Sequence, residues 1–555
     1  MNEAVSSSSL VTVLSLLGSS QTFVYLLSVA LLVLVADYTW ILYRRWCMPP
    51  GPFPWPIVGN TFSLPDTKPW YLFEKLSQEY NSPVITFWIG RNPTVWVNDA
   101  WSAHEMLVEK ASIYTSRPRM LVFAELGIGQ YNLLMMYTFT RAQRERFRAI
   151  RKLTHLGLNV EQVKKYQKFQ DNELKIAMRD LLVSPDDFVS HFERYATSVV
   201  SIIGYGRRTK NKNDPILTEV MNFMKSAAAL NVPGKSFPML METFPFLAKF
   251  PNKIAPWKYG LGSVRESRHS IPDFFLALAI EANSPDRPDN YSKLLFQERE
   301  RYNLHDLELS QLTANLLGGG ADTSSSTLAT AVLAMRAFPE ACRLAQSEID
   351  RVVGPVRSPN LSDRDNLPYV RAFVKEVFRW RTVAIIGGQP HAPTEDTTWN
   401  GYRISKGTWV QGNTWAIHHN SRDFPEPDRF DPSRFLGGSN ARPFPTKEGY
   451  MTFGWGRRVC PGQHLAEQGT FLGVARLLWA FKIEPAIDEA TGEEVPVDIF
   501  DYTNGLNWLP QPFKVRFTPR SPEIHKAIQK EAQQAEEGLD MFNIPTEFQF
   551  STFYK

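Results

Sequence analysis

Cysteine is scarce in this 555-residue chain, which has only Cys47, Cys342 and Cys460. An odd number of widely spaced cysteines excludes a disulfide framework and a metal knuckle, and it suits a reducing compartment. A surplus of either charge is missing too. The 61 Lys and Arg nearly balance the 57 Asp and Glu, leaving a net +4. Overall charge therefore gives no case for nucleic-acid binding, and any basic partner surface must be local. No internal repeat is visible. Disorder is excluded by a composition that is 43% hydrophobic and 13% aromatic, with 39 prolines spread along most of the chain. The length exceeds that of a typical compact domain, although one enzyme fold reaches it by adding helices and loops around a single core.

Charge is absent altogether from Ala4 to Ala36, and Thr22 to Ala36 (TFVYLLSVALLVLVA) is apolar enough to enter a bilayer. About 20 residues are needed to span one. That count is reached by starting near Leu10 or by continuing through Asp37 to Tyr43, with Asp37 at an interface. A cleaved signal peptide is the competing reading. No Lys or Arg precedes the run, however, while Arg44 and Arg45 follow it at once, which is the pattern of a signal anchor that leaves the remaining chain in the cytoplasm. The expected organisation is an anchor over residues 1–46 with its span at about 22–43, then a hinge over 47–60. The stretch PPGPFPWPIVGN holds that hinge extended and stiff. A catalytic body follows over 61–518. The tail, 519–555, reads as a polar solvated helix without chemistry. Within the body, VITFWIG (84–90) and TVWVN (94–98) read as a hairpin, helical periodicity runs to Arg381, and 382–518 returns to short strands, turns and one long helix after Gly462. The fold class is mainly α with a small β region, preceded by one transmembrane helix.

Four stretches carry candidate chemistry. The first, LLGGGADTSSSTLATAVLAM (316–335), places three glycines, an acid and several hydroxyls inside an apolar helix. Interior glycine costs about 1 kcal/mol relative to alanine, so something flat must approach the backbone, with Asp322 and Thr323 beside it to relay protons. A helix break with Ser/Thr back-bonding explains the same residues. The second is Glu376-x-x-Arg379. The spacing is weak, since Glu145/Arg148, Glu298/Arg301, Glu340/Arg343 and Glu348/Arg351 share it, and such pairs are usually surface contacts. The third is FDPSRF (430–435), whose Arg434 could complete a buried network with that pair. The fourth is FGWGRRVCPG (453–462), in which Phe453, Gly456, Arg458, Cys460 and Gly462 form F-x-x-G-x-R-x-C-x-G. A packed aromatic, backbone amides freed by glycine and the Arg458 charge would hold Cys460 as a metal-ligating thiolate. A small apolar core cysteine and a Cys460/His464 nucleophilic dyad are the rivals.

In this order the motifs resemble those of the cytochrome P-450 family of haem-thiolate monooxygenases, over residues 40 to 518. NTWAIHHN (413–420) and CPGQHLAE (460–467) look like membrane-bound members from filamentous fungi, which commonly tailor secondary metabolites. The resemblance implies a mostly helical fold with haem b between the glycine-bearing helix and the Cys460 loop. It makes Cys460 the axial iron ligand and Asp322 and Thr323 the source of the protons that dioxygen activation consumes. It makes Glu376, Arg379 and Arg434 a structural network, and Arg458, His391 and Arg151 the partners of the haem propionates. Phe147 departs from the family, which usually has tryptophan four residues before that last arginine, and Ser433 stands where glutamate is common.

The resemblance also implies NADPH-cytochrome P-450 reductase as electron donor, with cytochrome b5 as a second one, an endoplasmic reticulum membrane location and a cytoplasmic catalytic domain. Arg141, Arg144, Arg148 and Lys152 make one helix face basic, which is either a solvated face or the surface where the acidic reductase docks. Two other classes stay open: a haem-thiolate isomerase, dehydratase or lyase that needs no external electrons, and a non-catalytic haem-binding protein. By resemblance the substrate lies along 113–135, 224–250, 383–389 and 503–507. These segments are largely apolar and would suit a hydrophobic polyketide, terpenoid or alkaloid.

Overall fold

The computed structural model describes residues 20–128, 132–230, 240–437, 443–505 and 507–545. Its longer helices are α1 (Ser20–Cys47), α2 (Trp70–Glu79), α3 (Arg141–Leu158), α4 (Val160–Val183), α5 (Phe188–Tyr205), α6 (Pro215–Leu230), α7 (Gly262–Ala282), α8 (Asp306–Ala337), α9 (Pro339–Val352), α10 (Pro368–Trp380), α11 (Gln463–Ala480) and α12 (Pro522–Leu539). Helix α8 forms the axis. A reciprocal cap between His305 and Glu308 starts it, and α5, α7 and α11 pack along its 32 residues. The Ser/Thr back-bonding expected of its middle is present, with Thr323, Ser325, Ser326 and Thr327 all donating to carbonyls one turn back. The helix nevertheless does not break. Helix α3 starts on a capping box between Thr140 and Gln143 and buries Phe147, Ile150, Leu153 and Leu158 in the main core.

The hairpin forms as expected, β1 (Val84–Ile89) antiparallel to β2 (Asn92–Val97). Two-stranded pairings follow, β3 (Thr397–Trp399) with β4 (Tyr402–Ile404) and β6 (Phe481–Pro485) with β7 (Val515–Pro519). The parallel partner of β2 is β5 (Trp409–Gly412), with Thr94 opposite Trp409. No local pattern announces a pairing across three hundred residues.

Helix α1 is long and apolar enough to cross a membrane. Its side chains from Phe23 to Val35 are mostly exposed. Its last third is not. Asp37 pairs with Arg91 in the β1–β2 turn, Ile41 is buried against the sheet and Arg44 lies over the Trp88 ring. The proline-rich stretch is held as well, since Thr86 N–H donates to Pro50 O at 2.8 Å and Tyr38 Oη to Pro54 O at 3.0 Å.

The tail corrects the expectation of a solvated helix. In α12 the residues Ile524, Ala527, Ile528, Ala535 and Leu539 recur at helical spacing and enter the main core together with Phe542. Full burial of each large aliphatic side chain contributes about 1.5–3 kcal/mol. Glu536 pairs with Arg208 and, at 3.1 Å, with Arg179, while Glu531 accepts the Ser358 N–H at 2.9 Å. The polar residues that suggested solvation supply the ion pairs that fix the helix.

Candidate functional site

A cavity of about 360 Å³ lies between the middle of α8 and the loop that precedes α11. Two glycine positions show how the chain makes it. A Cβ on Gly320 would come within 2.4 Å of Val200 Cγ1, so that glycine permits α5 to pack closely, whereas a Cβ on Gly319 would meet nothing within 4 Å. Only the second leaves backbone open to a flat ligand. This narrows the expectation drawn from all three glycines.

On the other wall, the Cys460 N–H donates to Phe453 O at 2.9 Å, and Phe453 stacks edge-on with Phe378. Cys460 is exposed toward the cavity, which it lines. Burial by the surrounding protein raises its thiol pKa, against the lowering pull of the Gly462 N–H and the Arg151 charge. Two expectations are corrected here. Desolvation outweighs the amide and the cation at this thiol, and the cation that acts on it is Arg151 where Arg458 was expected. Gly456 does not line the cavity. Its φ is +54° and a Cβ there would lie 2.2 Å from Leu107 O, so it is a packing glycine.

Arg458 turns toward the segment after Tyr114, donating to Thr115 O at 2.8 Å, to Leu133 O at 3.1 Å and to Met136 O. Its guanidinium lies 3.9 Å from the Phe147 ring centroid. The residue standing in the usual tryptophan position thus supplies a cation–π face in place of a hydrogen bond. Arg151, one turn further along α3, donates to Val459 O at 3.1 Å. His391 lines the cavity and its Nδ1–H donates to Tyr114 O at 2.9 Å. Burial, then the Arg117 and Arg458 charges, hold this imidazole well below its ordinary pKa and therefore neutral.

Arg117 was missed by sequence reasoning. It is buried and lines the cavity, donating to Leu134 O at 2.9 Å and Gln389 O at 2.7 Å, and burial lowers its pKa to about 9. Segment 113–135 does carry a signal. It has two bases and one acid, and Arg119 takes the acid Glu125 at 2.7 Å, which leaves one cation over. Three arginines therefore line the cavity, and among the described residues no Asp or Glu does. Buried cations without anions are costly, so the set is suited to a ligand bearing carboxylates.

Thr323 lines the cavity with its Oγ1 donating to Gly319 O at 2.6 Å. Asp322 lies just behind that wall. Its carboxylate accepts from Asn507, which does line the cavity. Burial raises the Asp322 pKa, with Asn507 and Lys225 pulling it down in part.

Glu376 and Arg379 are fully buried and joined by two 2.7 Å hydrogen bonds. Arg434 approaches Glu376 at 3.4 Å and the Asp431 N–H donates to the same carboxylate at 2.9 Å. None of these residues lines the cavity, and the network ties α10 to the carbonyls of His418 and Arg429 and to the 431–434 turn. Of the substrate segments, Arg117, Phe123, Asn132 to Leu134, Met224, Val383 to Ala384, Gly387 to Gln389 and Asn507 reach the wall, while 129–131, 231–239 and 506 lie outside the described residues.

The family model described as cytochrome P-450 matches residues 49–517. Over 499 residues the chain is 35% identical to a cytochrome P-450 monooxygenase of Armillaria gallica, covering 88% of this chain and 93% of the relative. It is 32% identical to cytochrome P-450 monooxygenase 58 of Postia placenta, covering 90% and 94%, and 32% identical to cytochrome P-450 monooxygenase virE of Hypocrea virens, covering 89% of each.

Proposed function

Because the chain belongs to the cytochrome P-450 family, we propose that it is a haem-thiolate monooxygenase that inserts one oxygen atom from O2 into a hydrophobic small molecule, drawing electrons from NADPH through a reductase. The observation that carries this reading is one thiol and three arginines around a cavity that no Asp or Glu of the described residues lines. A flat ring holding iron and bearing two carboxylates complements that donor set. Cys460 would ligate the iron, and the metal supplies the positive charge that the sulfur lacks in the protein alone. Arg117, Arg151 and Arg458 would hold the carboxylates, His391 would join them as an imidazolium protonated at Nε2 in their field, and Gly319 would give the ring a bare face of α8. When bound, haem supplies dioxygen activation. Thr323 would hold a proton at the wall, and Asp322, tied to the cavity-lining Asn507, would pass protons toward it.

The relatives are fungal, which supports a secondary metabolite or its precursor as substrate. Helix α1 would anchor the enzyme once in the endoplasmic reticulum membrane with the body in the cytoplasm. There Arg148 and Lys152 would face the reductase, with cytochrome b5 as a second donor. Reduction under carbon monoxide tests the ligand assignment. The wild-type chain is expected to show the red-shifted Soret band of thiolate ligation and Cys460→Ser to lose it, and a variant that keeps the band overturns it. Product formed without NADPH would move the reaction to the isomerase or lyase class.

A further inference from the structure

Among the polar side chains on this largely apolar wall, one carboxamide is left wholly unsatisfied. Gln389 lines the cavity, is 3% exposed, and neither Oε1 nor Nε2 of its carboxamide has a partner in the protein. Its backbone carbonyl is tied through Arg117 to Leu134 O, and the Leu134 N–H donates to Asn132 Oδ1 at 3.0 Å. Asn132 Nδ2 in turn donates to Gln311 Oε1 at 3.2 Å. Asn315, one turn along α8 from Gln311, also lines the cavity, and its Nδ2 is unpartnered. Of the six amide side chains that line the cavity among the described residues, Asn132 and Gln311 pair with each other, Gln170 and Asn507 have partners elsewhere, and Asn315 and Gln389 keep unpaired groups.

An enclosed carboxamide with neither half satisfied is destabilising, and a leucine of similar size would fill the position at no such cost. A ligand group that both donates and accepts would satisfy both halves of the Gln389 carboxamide. The cofactor carboxylates do not answer that description. They accept only, and the guanidinium groups of Arg117, Arg151 and Arg458 already offer them charged donors. We propose that this part of the wall is a specificity site at which Gln389 hydrogen-bonds a hydroxyl of the substrate, so that the enzyme acts on a molecule already oxygenated. The inference rests on the monooxygenase reading of the cavity and deepens it. A reaction that installs or retains a hydroxyl must supply the substrate, and this enzyme adds a second oxygen at a distance from the first.

Phenylimidazole probes test the site without knowledge of the substrate, because the imidazole nitrogen seats them on the iron of the full-length holoenzyme. Spectral titration would compare 4-phenylimidazole with its ortho, meta and para hydroxyphenyl counterparts on wild type, Gln389→Leu and Gln389→Glu. At least one hydroxyl analogue is expected to bind wild type about tenfold tighter than the parent, roughly 1.4 kcal/mol. Gln389→Leu should lose that gain and bind the parent at least as well. Gln389→Glu, which keeps an acceptor, should retain part of it. Equal hydroxyl increments in wild type and Gln389→Leu, or no increment in any probe, overturn the proposal. Loss of haem content in Gln389→Leu assigns the amide to the cofactor and overturns it too. Absence of the thiolate Soret band in wild type removes the monooxygenase reading itself, and the proposal falls with it.

Discussion

Thr323 holds its hydroxyl on the Gly319 carbonyl at the cavity wall, and Asp322 sits behind it on Asn507. Removing the hydroxyl while leaving the helix intact should separate electron flow from product formation. Thr323→Ala is expected to keep haem content and to lower product per NADPH by about tenfold or more, with the balance appearing as hydrogen peroxide. A fully coupled variant would show that the substrate supplies the hydroxyl. Asp322→Asn should slow turnover itself, since an amide cannot relay a proton at neutral pH. Burial raises the Asp322 pKa, although Asn507 and Lys225 oppose the rise. The wild-type pH profile should therefore contain a titration above the usual carboxylate range that Asp322→Asn lacks. The same scale explains why Glu-x-x-Arg was uninformative as a string. Glu340/Arg343 and Glu298/Arg301 pair at the surface, whereas Glu376/Arg379 is fully enclosed. Spacing is a local property and burial is not.

Helix α12 lies beyond residue 517, where the family model stops, yet it packs on α4 and seals part of the core. Leu539→Ala is expected to destabilise the protein by about 2–4 kcal/mol in denaturant unfolding while leaving the carbon monoxide band intact. Burial pushes the Glu536 pKa up, but Arg208 and Arg179 outweigh it and the net shift is downward. Its contribution is therefore present at neutral pH and lost as pH falls through the carboxylate range. Glu536→Gln should flatten that part of the stability curve, and an unchanged acid limb would show that the pairs contribute nothing. Helix α3 does two jobs on opposite sides. Phe147 and Arg151 face the cavity, while Arg141 pairs with Glu145 and Arg144 with the Thr138 and Phe139 carbonyls. Arg148 and Lys152 remain exposed. Reversing both to glutamate should raise the reductase concentration needed for half-maximal turnover, more so at low salt. Unchanged turnover at limiting reductase would make the face merely solvated.

At the scale of the molecule, α1 is one helix with two environments. Its apolar first part is exposed, and its end is fastened to the sheet by Asp37–Arg91, Ile41 and Arg44. If the apolar part enters a bilayer as proposed, the docked end would set how the body sits over it, with Asp37 and the residues after it held by the protein. Deleting residues 1–46 is expected to release most of the protein from microsomal pellets into the supernatant. Arg91→Glu in the full chain should leave it in the pellet and make the Pro50–Gly59 stretch more sensitive to limited proteolysis. Retention of the truncated protein in the pellet would point to a second membrane contact on the body.

The sequence by itself determined what depends on local order and chemical identity: the apolar run before Arg44, the β1–β2 hairpin, the glycine-bearing helix and the Cys460 loop. Only the tertiary structure decided what depends on who meets whom. It picked one Glu-x-x-Arg pair out of six by burying it, and it turned a polar tail into a packed helix. It moved the charge near the sulfur from Arg458, two residues away in the chain, to Arg151 on α3. It also brought Arg117 into the cavity and left Gln389 there without a partner. Burial, desolvation and hydrogen-bond satisfaction are sums over neighbours from the whole chain, and a linear string does not state which neighbours those will be.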